Sequence, residues 1–179
     1  MHKRILSGIF LMLFLSLTGW LIYAALRPEK LPVGSPMPAL QYRTEKGLQY
    51  LSDDGPGNLI LVHFHSQCGH CKYELELLDK NLPALSGTQI VLLTSEKDFF
   101  EKAKQAAWPH LATAKNVTWG MADKSAFADM FGSIATPVTF IFDQSDTLRA
   151  KIIGEAKLAK ILIELKKTSG GPERRISGQ

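Results

Sequence analysis

The chain has 179 residues, 45% of them apolar, 21% charged and 9 of them proline. That is too apolar for a disordered protein, free of any collagen-like bias, and long enough for one ordinary domain plus an appendage. The net charge of +4 sits at the two ends, because residues 28–169 carry equal numbers of basic and acidic side chains, and this excludes a nucleic-acid footprint on the folded part. A cysteine count of 2 excludes a disulfide-rich scaffold and a four-cysteine zinc site.

Residues 5–26 hold no charged side chain and are rich in Leu, Ile and Phe. A helix of that length spans the roughly 30 Å hydrocarbon core of a bilayer. Trp20 and Tyr23 near its far end suit the interface. A cleaved leader is the competing reading, but its apolar region runs about 7–15 residues and ends in small residues. Here the run is longer and its small pair is Ala24 and Ala25, after bulky Ile22 and Tyr23. Residues 1–27 therefore read as a membrane anchor. Positive charges flank it on both sides (Lys3 and Arg4, then Arg27 and Lys30), so charge alone does not orient it.

Residues 28–38, with several prolines and a glycine, read as a linker. The run 59–64 (LILVHF) is a buried strand, and apolar spacing resumes as a helix over 72–82 ended by Pro83. Residues 89–94 (QIVLLT) form a second strand, 97–107 a helix closed by Trp108 and Pro109, and 117–121 a short strand. A helix follows over 124–131, showing Phe127, Met130 and Phe131 on one face. The strand 138–142 (VTFIF) turns back into 148–153 as a hairpin, and a helix over 155–167 precedes a disordered tail, 168–179. Tyr73, Leu77, Leu78, Phe127 and Phe131 are assigned to the core, Glu76 to the surface, and Trp108 and Trp119 to packing. His110 has no supporting context. The order of elements implies an α/β sandwich around a mixed sheet, in one domain over residues 39–167.

The two cysteines stand as Cys68, Gly69, His70, Cys71 at a strand-to-helix junction. One helical turn brings such sulfurs within disulfide reach. The helix N-terminus, with its unpaired N–H groups and positive dipole end, stabilises a thiolate at Cys68. Cys68 is thus expected to be the nucleophile and the first residue of the helix, and Cys71 the buried resolving thiol. His70, when protonated, would favour the thiolate and make the couple more oxidising. Gly69 leaves room for a substrate backbone. A structural disulfide is the bland alternative, but so short a loop stabilises little. His63, His65 and His70 lie close in sequence to both thiols, which leaves open a second reading, a copper- or zinc-handling module.

HFHSQCGHCKYELELL (63–78), followed by IATPVTFIFD (134–143) and preceded by VGSPMPAL (33–40), resembles the thioredoxin superfamily, and within it the membrane-anchored TlpA/ResA-like redoxins of bacterial envelopes. The resemblance implies a thioredoxin-like α/β fold, a mixed central sheet flanked by helices, and thiol–disulfide oxidoreductase chemistry with Cys68 and Cys71 as a redox-active disulfide and no cofactor. By position it makes Pro137 the cis-proline that faces the dithiol, Thr136 a backbone contact for substrate, and Glu74 a carboxyl that moves the Cys71 proton. It also implies an inner-membrane protein with its domain in the periplasm. Its partners would be disulfide-containing exported proteins and a membrane thiol-electron donor. The chain departs from the pattern at Gln67, where a Trp is usual, at His63, Phe64 and His65, where Phe-Trp-Ala is usual, and at Glu76, often a Pro.

Overall fold

A computed structural model describes residues 2–25, 30–53, 57–96, 107–132 and 135–169. The helix expected over 97–107 falls on residues 97–106, outside this set, as do linker residues 28–29 and tail residues 170–179. The elements in chain order are α1 (His2–Ala25), β1 (Gln41–Thr44), β2 (Gly47–Tyr50), β3 (Asn58–His63), α2 (Gly69–Lys80), β4 (Thr88–Thr94), α3 (Pro109–Thr113), β5 (Val117–Met121), α4 (Lys124–Phe131), β6 (Val138–Phe142), β7 (Leu148–Ile153) and α5 (Leu158–Ser169). The strands make one seven-stranded sheet in the order β2-β1-β5-β4-β3-β6-β7. β3, β4 and β5 run parallel, while β6 lies antiparallel to β3, β7 to β6, and β1 to both β2 and β5.

The apolar runs of β3 and β4 are continuous because both faces of the sheet are covered. Side chains alternate between the faces with period two. Leu59, Leu61, Val91 and Leu93 pack with Phe127, Phe131, Phe140 and Tyr42 on one side. Ile60, Val62, Ile90 and Leu92 pack with Leu75, Leu78, Trp108, Trp119 and Ile161 on the other. The two indoles stack at 6.0 Å and Phe64 meets Trp119 edge-on at 5.9 Å, which is the packing expected of them.

Several local readings need correction. The hairpin β1–β2 was not expected from the sequence. It alternates poorly, because of its side chains only Tyr42 is buried. Tyr73 is not core: it is 52% exposed, since the buried face of α2 is made by Cys71, Glu74, Leu75, Leu78 and Asp79. α2 ends at Lys80, capped by Asn81, and Pro83 lies in the 3-10 turn that follows. α5 begins at Leu158 rather than 155. Part of the linker is tied down: Gly34 N–H donates to the Leu148 carbonyl at 2.8 Å and Met37 N–H to Asp146 at 2.7 Å, and Leu31 is buried.

Among the described residues no helix is long and apolar enough to cross a membrane. The side chains described in α1 are those of residues 10–22. At 1.5 Å per residue they cover about 20 Å.

Candidate functional site

β3 delivers the chain to the loop 64–67, whose fold is set by a carboxylate that sequence reading did not single out. Glu96 accepts the Ser66 N–H at 2.6 Å, the Ser66 hydroxyl at 2.7 Å and the Thr94 hydroxyl at 3.1 Å, with His65 Nε2 at 3.7 Å. Burial alone would raise its pKa, but the Ser66 hydroxyl and N–H, the Thr94 hydroxyl and His65 outweigh it and hold Glu96 below the usual carboxylate range. In sequence, nothing in Ser95-Glu96 distinguishes this carboxylate from a surface one.

Cys68 is the N-cap of α2 rather than its first helical residue: its φ of −80° and ψ of 121° are extended, and its Sγ accepts the Cys71 N–H at 3.4 Å. A sulfur here occupies the place of a capping oxygen. The thiol also reaches the Thr136 carbonyl at 3.6 Å, next to the cis peptide between Thr136 and Pro137. A Cβ placed on Gly69 would meet nothing within 4 Å, so the space beside the sulfur is open.

The two thiols are free and differ sharply. At Cys68 burial acts to raise the pKa. Hydrogen bonds from the Cys71 thiol, from the N–H groups of Cys71 and His70, and from the Thr136 side chain overcome it, and the pKa falls below the ordinary thiol value. Cys71 is 1% exposed. Burial first, then its hydrogen bond and charge repulsion with Cys68, push its pKa up to about 12, against the His65 N–H that reaches Cys71 Sγ at 3.5 Å.

Glu74 lies one turn beyond Cys71, on the buried face of α2 and fully inaccessible. Thr139 donates its hydroxyl to Oε1 at 2.5 Å and Ala156 its N–H to Oε2 at 2.9 Å. Burial raises the Glu74 pKa, with Glu155 adding to the rise, and the two hydrogen bonds oppose it. His70 points outward, its side chain 77% exposed, with Nδ1 3.1 Å from Glu155 Oε2. What it gives Cys68 is its backbone N–H.

The three histidines near the thiols face different partners. His63 is buried and stacks on Phe127 at 4.2 Å, with Nε2 3.3 Å from Ser95 Oγ. His65 faces Glu96, and His70 faces Glu155. Among the described residues no three His, Cys, Asp or Glu side chains are grouped to hold a metal. His110 has a partner after all: Nδ1 lies 2.8 Å from Asp79 Oδ2, while Asp79 Oδ1 accepts the Leu111 N–H at 2.8 Å, tying the end of α2 to α3.

The mixed sheet, the dithiol capping α2 and the cis-proline facing it define a thioredoxin-like fold. No protein-family model and no curated protein sequence matches the chain. Solved structures do. A thiol:disulfide interchange protein from Bacteroides sp. superposes with a TM-score of 0.62 at 19% identity, over 82% of this chain and 97% of its own. The thioredoxin domain of a thiol-disulfide oxidoreductase from Bacteroides vulgatus gives 0.56 at 16%, over 76% and 97%. A peroxiredoxin-like protein from Aquifex aeolicus gives 0.64 at 13%, over 80% and 90%. The chain is similar to all three in fold.

Proposed function

We propose that the protein is a thiol–disulfide oxidoreductase that reduces or isomerises disulfides of exported proteins, tethered by α1 with its domain on the oxidising side of the membrane. The observation that carries the chemistry is the asymmetry of the dithiol: a part-exposed Cys68 with a lowered pKa beside a buried Cys71 with a raised one. That asymmetry assigns the order of steps. The Cys68 thiolate attacks a client disulfide, forming a mixed disulfide and releasing one client thiolate, which takes a proton from solvent. Cys71 then loses its proton and attacks Cys68 Sγ, and the second client thiol leaves. Two electrons pass from the dithiol to the client, and a membrane thiol-electron donor restores the reduced pair. Glu74 is the buried carboxyl one turn away that takes the Cys71 proton. The Thr136 backbone, held beside Cys68, is the edge on which an extended client segment lies.

The tether is supported by the uncharged stretch 5–26 and by the exposure of Phe10, Met12, Leu13 and Trp20 along α1, a surface that is too apolar for water. The compartment is supported by the chemistry, because a tethered dithiol enzyme has its use where thiols oxidise. A peroxidase reading is disfavoured because no Thr-x-x-Cys precedes the pair.

The test of the chemistry is trapping. Cys71→Ser accumulates mixed disulfides with client proteins, visible as reductant-sensitive bands, and Cys68→Ser traps none. Equal trapping by both variants, or none by either, overturns the assignment.

A further inference from the structure

The peptide joining His65 to Ser66 is held at both ends. Its N–H donates to Glu96 Oε2 at 2.6 Å, and its carbonyl accepts the Cys68 N–H at 3.1 Å. A peptide unit is planar, so a grip on the N–H also aims the carbonyl. The Ser66 hydroxyl doubles the grip by donating to Glu96 Oε1 at 2.7 Å. Glu96 is itself moored to the end of β4: the Thr94 hydroxyl donates to Oε2 at 3.1 Å and accepts the Glu96 N–H at 3.3 Å. The Glu96 side chain is 23% exposed, which leaves water little access to replace these bonds. On the other side of the same residue, the His65 N–H reaches Cys71 Sγ at 3.5 Å. A continuous path of contacts therefore runs from the carboxylate through His65 to the buried sulfur.

The two thiols depend on this support unequally. Against burial, the groups that lower the Cys68 pKa are the Cys71 thiol, the N–H groups of Cys71 and His70, and the Thr136 side chain, none of them on the loop 64–67. At Cys71 burial pushes the pKa up most, and the His65 N–H is the largest influence that pulls it down. We propose that Glu96 is a positioning residue for the resolving step: by holding the 65–66 peptide it keeps the His65 N–H on Cys71 Sγ, where it stabilises the thiolate that attacks the mixed disulfide. The proposal deepens the oxidoreductase reading and rests on it. A donor already aimed at the sulfur meets the charge as it forms and needs no rearrangement when the Cys71 proton leaves.

The test is the reaction of the reduced full chain, in detergent, with excess of an aromatic disulfide whose released thiolate absorbs visible light. The Cys68 thiolate attacks the reagent, breaks its S–S bond and releases one aromatic thiolate. Cys71 then loses its proton, by way of Glu74 to solvent, and attacks Cys68 Sγ; the protein disulfide forms and the second aromatic thiolate leaves. Two electrons pass from the dithiol to the reagent. The second phase is recognised by its independence of reagent concentration. In Glu96→Ala the first phase stays within about twofold of wild type and the second slows about tenfold, the scale of one hydrogen bond to a charged group. Glu96→Gln, whose carboxamide oxygen accepts the Ser66 N–H and whose NH2 donates to the Ser66 hydroxyl, returns the second phase to within about threefold of wild type. Thr94→Val, which frees one side of the carboxylate, slows the second phase about threefold and is read in place of Glu96→Ala if that chain does not fold. An unchanged second phase in the variant read, equal slowing of both phases, or Glu96→Gln as slow as Glu96→Ala overturns the proposal. Release of a single aromatic thiolate per wild-type chain overturns the oxidoreductase reading with it. Release of two, with a second phase that no Glu96 or Thr94 variant alters, overturns the role of Glu96 alone.

Discussion

Thr139 breaks the apolar strand β6 because a buried carboxyl needs its hydroxyl. On that strand Val138, Phe140 and Phe142 face one layer, and Thr139 faces α2 and Glu74. Leaving such a carboxyl without partners would be costly. Because the fold raises the Glu74 pKa, it favours the protonated form. That contribution is whole below the ordinary carboxylate range and is lost as pH rises through the folded value. Glu74→Gln, which cannot ionise, therefore gains stability relative to wild type between pH 5 and pH 8 in denaturant titrations. It also slows release of client from the mixed disulfide, measured as longer-lived trapped species in an otherwise intact enzyme.

His63 has the opposite sign. Burial lowers its pKa to about 4. The neutral ring belongs to the folded state, so its contribution is whole above the unfolded value near 6.5 and is lost as pH falls from there towards 4. Between pH 7 and pH 5 the loss is roughly 2 kcal/mol. Glu96 and Asp143, whose pKa values are lowered, keep their contribution down to the ordinary carboxylate range and lose it below that, while Glu74 acts with the opposite sign over this window, so the histidine is isolated by making the comparison in the Glu74→Gln background. His63→Phe keeps the stack on Phe127 and abolishes most of the pH 7 to pH 5 loss; a loss of wild-type size in that variant would place it elsewhere.

At the scale of elements, what was legible followed the strength of the apolar pattern. β3, β4 and β6 stand out because both faces of the sheet are covered, and α4 because Phe127 and Phe131 repeat at helical spacing. The dithiol and the cis-proline were legible as motifs. The hairpin β1–β2 was not, because an edge hairpin with one buried side chain carries almost no alternation. Nor was the start of α5, where Ala156 gives its N–H to Glu74 across the domain instead of opening the helix. Glu96 and Glu155 were illegible for a related reason: each acts on a residue far away in sequence.

The hairpin also constrains β5. A Cβ on Gly120 would run into the ring of Tyr42 from β1 and the Leu93 side chain from β4. Tyr42 is 1% exposed and has no room to yield. Gly120→Ala should therefore destabilise the fold by about 1–3 kcal/mol, the ordinary range for overpacking. A Tyr42→Leu change in the same chain recovers part of it. A thermal midpoint unchanged by Gly120→Ala would show that the hairpin sits farther from β5 than described.

For the whole molecule, the prediction is about sidedness. In intact cells, after reduction, a membrane-impermeant thiol reagent labels Cys68 without permeabilisation. Protection until the membrane is opened would place the domain on the other side. The reagent reads the right sulfur, since the other cysteine is buried.

The pinning of residues 34–37 to the start of β7 bears on how far the domain would reach from a membrane under the proposed tether. The composition of 28–38 suggests a long, loose leash, but most of it is spoken for: Leu31 is buried, and Lys30 already pairs with Asp129 at 3.3 Å. Between the end of α1 at Ala25 and Lys30 there is chain enough for about 17 Å when fully stretched. For a chain held by α1, the dithiol patrols a layer about one domain deep above the bilayer surface. Under the proposed tether, clients and electron donor alike would have to meet the dithiol at that height.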